Sequence, residues 1–265
     1  MNCYVGHFTG VKALVCGDAI IDRYHFGRCD RLSPEAPVPV FVETSKTDRE
    51  GGAANVTHQL VALNAAVSAR YGSPESVKHR YFVGSHYLFR LDEDHQTNPS
   101  IEYDFDVLVH GYQVIVLSDY AKGFLTEHFC RQIIQAATIA EIPVVVDPKG
   151  TDWTKYVGAA VICPNHLELA QFGAIKASVM FPTVVEKCGA DGIRVHQGDL
   201  IKSYKALNTK PVDVTGAGDT VTSIVALGVA TDMPMHLIAQ LANEAAAVVV
   251  GKVGTAVVYA SELNS

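Results

Sequence analysis

Three short apolar runs, each closing on a polar or glycine-containing turn, restrict this chain to few architectures. Val11 to Cys16 runs into Gly17-Asp18, Val114 to Leu117 into Ser118-Asp119, and Val144 to Val146 into Asp147-Pro148. Runs this short, rich in β-branched residues, are the pattern of parallel strands covered on both faces. Between the second and third, Thr126 to Ala140 places Phe129, Ile133, Ile134 and Ala137 on one side of a helix. A strand-helix-strand unit follows, and with it an α/β fold whose ligands gather at the carboxyl ends of the strands.

Two further runs break the pattern. Val38, Val40 and Val42 alternate with Pro39, Phe41 and Glu43, and Tyr81, Val83 and Leu88 to Leu91 form another extended stretch. They predict a small β subdomain or lid, with strands from about 23–50 and 80–92. Residues 68 to 80, with Gly72-Ser73-Pro74, show neither helical nor strand periodicity and read as a connection.

At 265 residues and 48% hydrophobic content the chain can bury one sizeable core, so residues 1–265 are read as a single domain. Repeats and low-complexity segments are absent. Lys and Arg total 21 against 28 Asp and Glu, and the net charge of −7 opposes a nucleic-acid partner while leaving a small anionic ligand compatible. Cys3, Cys16, Cys29, Cys130, Cys163 and Cys188 are scattered without metal-ligand spacing and read as reduced thiols. The N-terminus shows no leader pattern, and no apolar run reaches the roughly 20 residues of a membrane span. These features give a cytoplasmic reading with no membrane partner. His7, His58 and His196 stand isolated, and His166 has no second ligand near it in sequence.

The most informative segment is Asp213-Val214-Thr215-Gly216-Ala217-Gly218-Asp219-Thr220, followed by small residues of helical character from Val221 to Ala230. Glycines just before a helix let backbone N–H groups converge on a phosphate, and the helix dipole adds partial positive charge. Asp219 has two readings there: a helix N-cap, or a general base that takes a proton from an attacking hydroxyl.

This segment resembles the Gly-Ala-Gly-Asp signature of the ribokinase-like (PfkB-type) kinases, and further matches follow the family's order. Gly17-Asp18-Ala19-Ile20-Ile21-Asp22 resembles the strand-end segment whose aspartate binds sugar hydroxyls. Gly51-Gly52-Ala53-Ala54-Asn55 is similar to the sugar-binding Gly-Gly-x-x-Asn turn, and Asn165-His166-Leu167-Glu168 to the Asn-x-x-Glu motif. Leu32 to Val40, Ser118-Asp119-Tyr120-Ala121-Lys122-Gly123 and Val250 to Thr255 resemble one branch, the D-glycero-β-D-manno-heptose 7-phosphate kinases. Two departures make the chain a compact version. Ala65 to Arg80 passes almost directly to the lid where the family has another strand-helix unit, and the long helix after Glu168 is shortened to Leu169 to Phe181. No nucleotidyltransferase domain is expected after Ser261-Glu262-Leu263.

The resemblance implies a three-layer sandwich with a mostly parallel sheet and a β lid, ATP and Mg²⁺ as cofactors, and a sugar phosphate as partner. Asp219 would be the base, with the N–H groups of Ala217, Gly218 and Asp219 after Gly216 cradling the γ-phosphoryl oxygens. Asn165 and Glu168 would reach the metal through water, or merely cap a helix after Pro164. Asp22, Gly51, Gly52 and Asn55 would hold the sugar, although Asp22 also reads as a loop carboxylate paired with Arg23. Arg80, Arg90 and Lys122 are the cations available to a substrate phosphate. The nucleotide is expected against Lys187, Gly189, Gly192, Thr215 and Asn243, with Ala245 to Val250 as core. A homodimer through the lid strands is compatible with an exposed sheet edge, and the sequence does not establish it. The competing expectations are a kinase for another sugar or nucleoside, and a noncatalytic sugar- or nucleotide-binding homologue.

Overall fold

The structure, a computed structural model, describes residues 4–73, 75–97, 102–207, 211–252 and 254–263. Of the residues named above, Cys3, Pro74 and Val253 lie outside them. Strand β1 (Lys12–Gly17) passes through Asp18 into β2 (Ala19–Arg28), which pairs antiparallel with β3 (Val42–Gly52). Helix α1 (Ala53–Ala62) returns the chain to β4 (Ala66–Tyr71), parallel to β1. Then β5 (Ser76–Val83) and β6 (His86–Glu93) complete a four-stranded sheet in the order β3-β2-β5-β6.

The remaining strands belong to the large sheet. Helix α2 (Phe105–Val109) precedes β7 (Val114–Ser118), and α3 (Glu127–Ile139) joins β7 to β8 (Val144–Asp147). The N-terminus of α3 is set by Thr126, whose hydroxyl accepts the Phe129 N–H at 3.1 Å. Strand β9 (Val161–Ile162), helices α4 (His166–Phe172) and α5 (Ala174–Met180), and β10 (Thr183–Lys187) follow. A hairpin of β11 (Ile193–Gln197) and β12 (Leu200–Tyr204) and the helices α6 (Ala217–Ala230) and α7 (Met235–Val249) complete the fold.

The eight strands run in the order β12-β11-β10-β9-β8-β7-β1-β4. From β4 to β10 all neighbours are parallel, and only β11 runs the other way, antiparallel to both β10 and β12. Successive side chains point to opposite faces, and both faces are covered. Ala13, Val15, Val114 and Val116 pack with Val56, Leu60 and Ile224 from α1 and α6, while Leu14, Cys16, Ile115 and Leu117 pack with Phe129 and Ile133 of α3. This double burial explains why the strands read as unbroken apolar runs. The strand order reverses at β1, because α1 leads from the lid to β4 on one face and α3 leads from β7 to β8 on the other. A crevice therefore opens beyond the carboxyl ends of β1 and β7.

Three segments differ from the sequence expectation. Residues 68 to 80 are largely strand, divided between β4 and β5. β4 is an edge strand whose side chains are mostly half-buried, so it carries no apolar alternation to read. The stretch around Val38 and Val40 forms only an isolated Leu32–Pro39 bridge, and continuous pairing begins at Val42. Pro34, Pro37 and Pro39 remove the donors a ladder needs there. Leu169 to Phe181 is two short helices, broken at Gly173, whose φ is 100°.

Asp18 ties the two sides of the crevice together. Its buried carboxylate accepts the N–H groups of Tyr120 and Lys122 on Oδ2, each at 3.0 Å, and that of Phe124 on Oδ1 at 3.1 Å. The loop after β7 is thus shaped by a side chain at the end of β1. Replacing Asp18 by Ala strands these donors, and we expect a stability loss of about 3 kcal/mol or more in urea denaturation, with Asp18→Asn losing less because one acceptor oxygen remains. An unchanged midpoint for Asp18→Ala would show that the loop N–H groups are solvated instead.

Candidate active site

Helix α6 starts at the crevice. Gly216 precedes it with φ 81°, and a Cβ there would stand 2.8 Å from Asn55 Nδ2, so both backbone and space demand glycine. From Asp219 to Gly228 the helix is buried, which its Thr, Ser, Ala and Gly side chains permit. The N–H groups of Gly218 and Asp219 find no acceptor among the described residues, while that of Ala217 donates to the Val214 carbonyl at 3.3 Å. The free donors and the helix dipole point into the crevice as a site for an anion.

Asp219 lies in that first turn, 7% exposed. Asn55 Nδ2 donates to its Oδ2 at 2.6 Å, and the Tyr120 hydroxyl donates to its Oδ1 at 2.8 Å. Its side chain does not fold back onto the helix N-terminus as a cap; the residue before the helix is Gly216. Burial pushes the Asp219 carboxyl up to about 6, helped by the negative charge of Asp147 and opposed by Asn55, Tyr120 and Lys187. A carboxylate in this range is ionised at neutral pH yet basic enough to accept a proton.

Beside it, Lys187 at the end of β10 donates to both oxygens of Asp147 at the end of β8, each at 2.7 Å. Burial acts against the Lys187 charge, but Asp147 outweighs it and holds the ammonium protonated. A Cβ on Gly218 would lie 3.4 Å from Lys187 Nζ, which places the ammonium against the helix start.

A cavity of about 430 Å³ extends from this point, and Asn165, Glu168, Lys187, Gly189, Gly192 and Asn243 line it together with Gly216 to Asp219. Ala246, Ala247 and Val250 also face it, which corrects the reading of Ala245 to Val250 as core alone. Ala245 and Val249 keep the core side of the same helix turn. Thr215 is not on the wall; its N–H donates to Asp213 Oδ1 at 2.9 Å and shapes the turn. The Asn243 amide donates to the Tyr204 carbonyl at 2.9 Å, so its side chain braces β12 while forming part of the wall.

Asn165 and Glu168 form a complete capping box at the start of α4, and Glu168 Oε1 also accepts Lys149 Nζ at 2.6 Å. Among the described residues no group of three or more His, Cys, Asp or Glu side chains could hold a metal directly. The side-chain oxygens of Asn165 and Glu168 on the cavity wall are donors of the type a hydrated magnesium ion takes through its water. His166 is engaged elsewhere, with Nδ1 2.8 Å from Glu186.

On the lid side of the crevice, Asp22 is buried and pairs with Arg80 at 2.9 Å, not with Arg23, which pairs with Asp48. Gly51 and Gly52 end β3 opposite Ile20 and Ala19, and Asn55 follows in α1. Arg90 is paired with Asp92 and Lys122 with Asp94, at 2.7 and 2.6 Å, and neither faces the cavity. Lys78 of β5 instead sets its Nζ 5.3 Å from the centre of the Tyr120 ring, and among the described residues no carboxylate pairs with it. Burial lowers its pKa, opposed by the charge of Asp22. No helix among the described residues is long and apolar enough to cross a membrane, and β6 exposes Tyr87, Leu88, Phe89 and Leu91 along the lid.

The sequence alone assigns no role to Asp147, Lys149, Lys78 or the Tyr120 hydroxyl. Asp147 is visible there as the polar residue closing a strand run, and Tyr120 stands inside a matched segment. Lys78 and Lys149 carry no local signal; the register of β5 beside β2 brings Lys78, itself off the cavity wall, over the Tyr120 ring, and the turn after β8 brings Lys149 to the wall.

Known proteins share this architecture. The profile described as pfkB family carbohydrate kinase matches residues 89–261. The chain is 34% identical to the bifunctional protein HldE of Acidiphilium cryptum over 303 aligned positions, covering 95% of this chain and 62% of that protein. It thus spans a little over three-fifths of this curated relative, and the alignment is longer than the 265-residue chain because the relative carries insertions. Among solved structures, Arabidopsis thaliana ribokinase complexed with ribose and ATP superposes with a TM-score of 0.72 at 17% identity, covering 96% of this chain and 98% of that one. Phosphofructokinase-2 from Escherichia coli gives 0.74 at 16% identity, covering 96% and 97%. The two structures establish the ribokinase-like fold. With the profile match and the identity to HldE added, this chain belongs to the pfkB family of carbohydrate kinases, ATP-dependent phosphotransferases.

Proposed function

We propose that the chain transfers the γ-phosphoryl group of ATP to the 1-hydroxyl of D-glycero-β-D-manno-heptose 7-phosphate, giving the 1,7-bisphosphate that ADP-heptose and lipopolysaccharide core synthesis require. The observation that carries the kinase mechanism is Asp219: a buried carboxylate held by two donors, at a helix start whose own N–H groups are free and beside the Lys187 ammonium. The choice of sugar rests on the 34% identity to HldE and on the segments around Leu32 to Val40, Ser118 to Gly123 and Val250 to Thr255.

In this reading Asp22, Asn55 and the backbone of Gly51 and Gly52 hold the sugar against Asp219. The acceptor oxygen gives its proton to the carboxylate as it attacks the γ-phosphorus, the bond to the β-phosphate oxygen breaks, and ADP leaves with that electron pair. The N–H groups of Gly218 and Asp219 and the Lys187 ammonium bind the equatorial oxygens as charge builds on them. Asn165 and Glu168 would hold Mg²⁺ through water, and the ion would supply positive charge against the nucleotide's phosphates. The nucleotide lies along Gly189, Gly192 and Asn243, with its base on the apolar wall of Ala246 and Val250.

For the acceptor phosphate, Lys78 replaces the cations first expected. Arg80, Arg90 and Lys122 each face a carboxylate of their own, so their charge is compensated within the protein. A half-buried ammonium without such a partner gains most from an anionic ligand.

ADP release with Mg²⁺ and a panel of sugars is expected to be fastest with the heptose 7-phosphate, with the new phosphate on the anomeric carbon by ³¹P NMR. Preference for an unphosphorylated sugar or a nucleoside would replace the heptose assignment. Lys78→Met is expected to raise KM for the sugar phosphate about 10-fold or more, the loss of one charge-assisted hydrogen bond, with KM for ATP unchanged. An unaltered acceptor KM would place the phosphate elsewhere.

A further inference from the structure

The loop after β7 presents one side chain to the base. Tyr120 is partly buried there, and its hydroxyl is the only group from this loop that hydrogen-bonds the Asp219 carboxylate among the described residues. We propose that Tyr120 is a positioning residue for the catalytic base, whose phenol fixes the plane of the Asp219 carboxylate and holds it ionised, so that this loop and helix α6 work as one acid-base unit. The inference rests on the reading of Asp219 as the base and goes beyond it.

The geometry suits that task. A phenol is a single donor, and burial together with the adjacent Asp219 charge keeps it protonated far above neutral pH. It therefore always donates to Oδ1, while Asn55 donates to Oδ2. Each carboxylate oxygen retains a lone pair, so a proton from the acceptor can still be received. Two donors on opposite oxygens fix the carboxylate's rotation, which one donor would not.

The phenol is itself held from several directions. Asp18 binds the N–H groups of Tyr120, Lys122 and Phe124, and Asp119 Oδ1 accepts the Ala121 N–H at 2.6 Å. Asp119 Oδ2 in turn receives Lys155 at 2.6 Å and the Tyr156 hydroxyl. These contacts make the loop a rigid arm, and Lys78 Nζ lies over the ring face, 5.3 Å from its centre.

The groups facing Asp219 come from four elements: Asn55 from α1, Tyr120 from the loop after β7, Asp147 from the end of β8 and Lys187 from the end of β10. Burial and Asp147 favour the protonated carboxyl; Asn55, Tyr120 and Lys187 favour the ionised one. Removing the Tyr120 hydroxyl deletes a stabilising donor while the ring still excludes water. The carboxyl must then rise further, so a larger fraction of the base is already protonated near pH 6 to 7 and unable to accept a proton. A residue that merely walled the pocket would leave that titration where it is.

Tyr120→Phe in the full chain tests this directly. With aspartate labelled at ¹³Cγ, the Asp219 resonance is identified as the one lost in Asp219→Asn, and its titration is followed in both proteins without any acceptor. The expected result is a native midpoint near 6 that moves up by roughly one pH unit or more in Tyr120→Phe, the scale of one hydrogen bond to a charged group. A midpoint that stays within a few tenths of a unit overturns the proposal. With whichever acceptor the enzyme turns over, the acid limb of kcat/KM is expected to move by the same amount and the deficit to shrink at higher pH; a loss equal at every pH overturns it as well. Because the NMR titration needs no sugar, a wrong substrate assignment leaves this result intact, and a static midpoint leaves the substrate assignment intact.

Discussion

A negative charge buried at the positive end of a buried helix is the constraint around which this molecule is arranged. In the proposed mechanism the start of α6 attracts an anion through the Gly218 and Asp219 N–H groups and also holds the Asp219 carboxylate close to that anion. Desolvation alone would protonate the carboxyl, and an ordinary solvated aspartate would be too weak a base. Asn55, Tyr120 and Lys187 bring it between these limits, to about 6. The arrangement costs stability: a carboxyl raised from 3.8 to about 6 weakens the folded state progressively as pH rises between these values, by about 3 kcal/mol at neutral pH. The cost is fully absent only below the unfolded value, where the group is neutral in both states.

The topology supplies these groups from four different elements because they all end at one place. Parallel strands bring β7, β8 and β10 to a common edge, and the reversal at β1 opens the crevice into which α6 points. Asp18 makes that edge rigid by gathering three N–H groups from the loop that carries Tyr120. The lid grows from the same residue, since β2 begins immediately after it, so the lid and the loop that carries Tyr120 share one anchor.

Much of this arrangement is legible in the residues alone. The apolar runs ending at Asp18, Ser118 and Asp147 mark doubly buried strands, and the glycines ahead of Asp219 mark the helix start. What escapes such a reading depends on contacts distant in sequence or on exposure. β4 escapes because an edge strand with half-buried side chains shows no period. Lys122 and Arg90 are credible phosphate ligands by sequence, yet they pair with Asp94 and Asp92, and Lys78, proposed in their place, comes beside Tyr120 only through the pairing of β5 with β2. The link from Tyr120 to Asp219 joins residues 99 apart, and no local pattern announces it.

In the proposed mechanism Asp219 serves the acceptor's proton and not the binding of nucleotide. Calorimetric titration of Asp219→Asn with MgATP, beside its turnover, tests that division most directly. Nucleotide affinity is expected to equal or exceed the native chain's, because a negative charge has left the anion site, while turnover falls about 10²–10⁴-fold. Turnover that survives the substitution, or nucleotide binding lost along with it, would contradict the role given to Asp219.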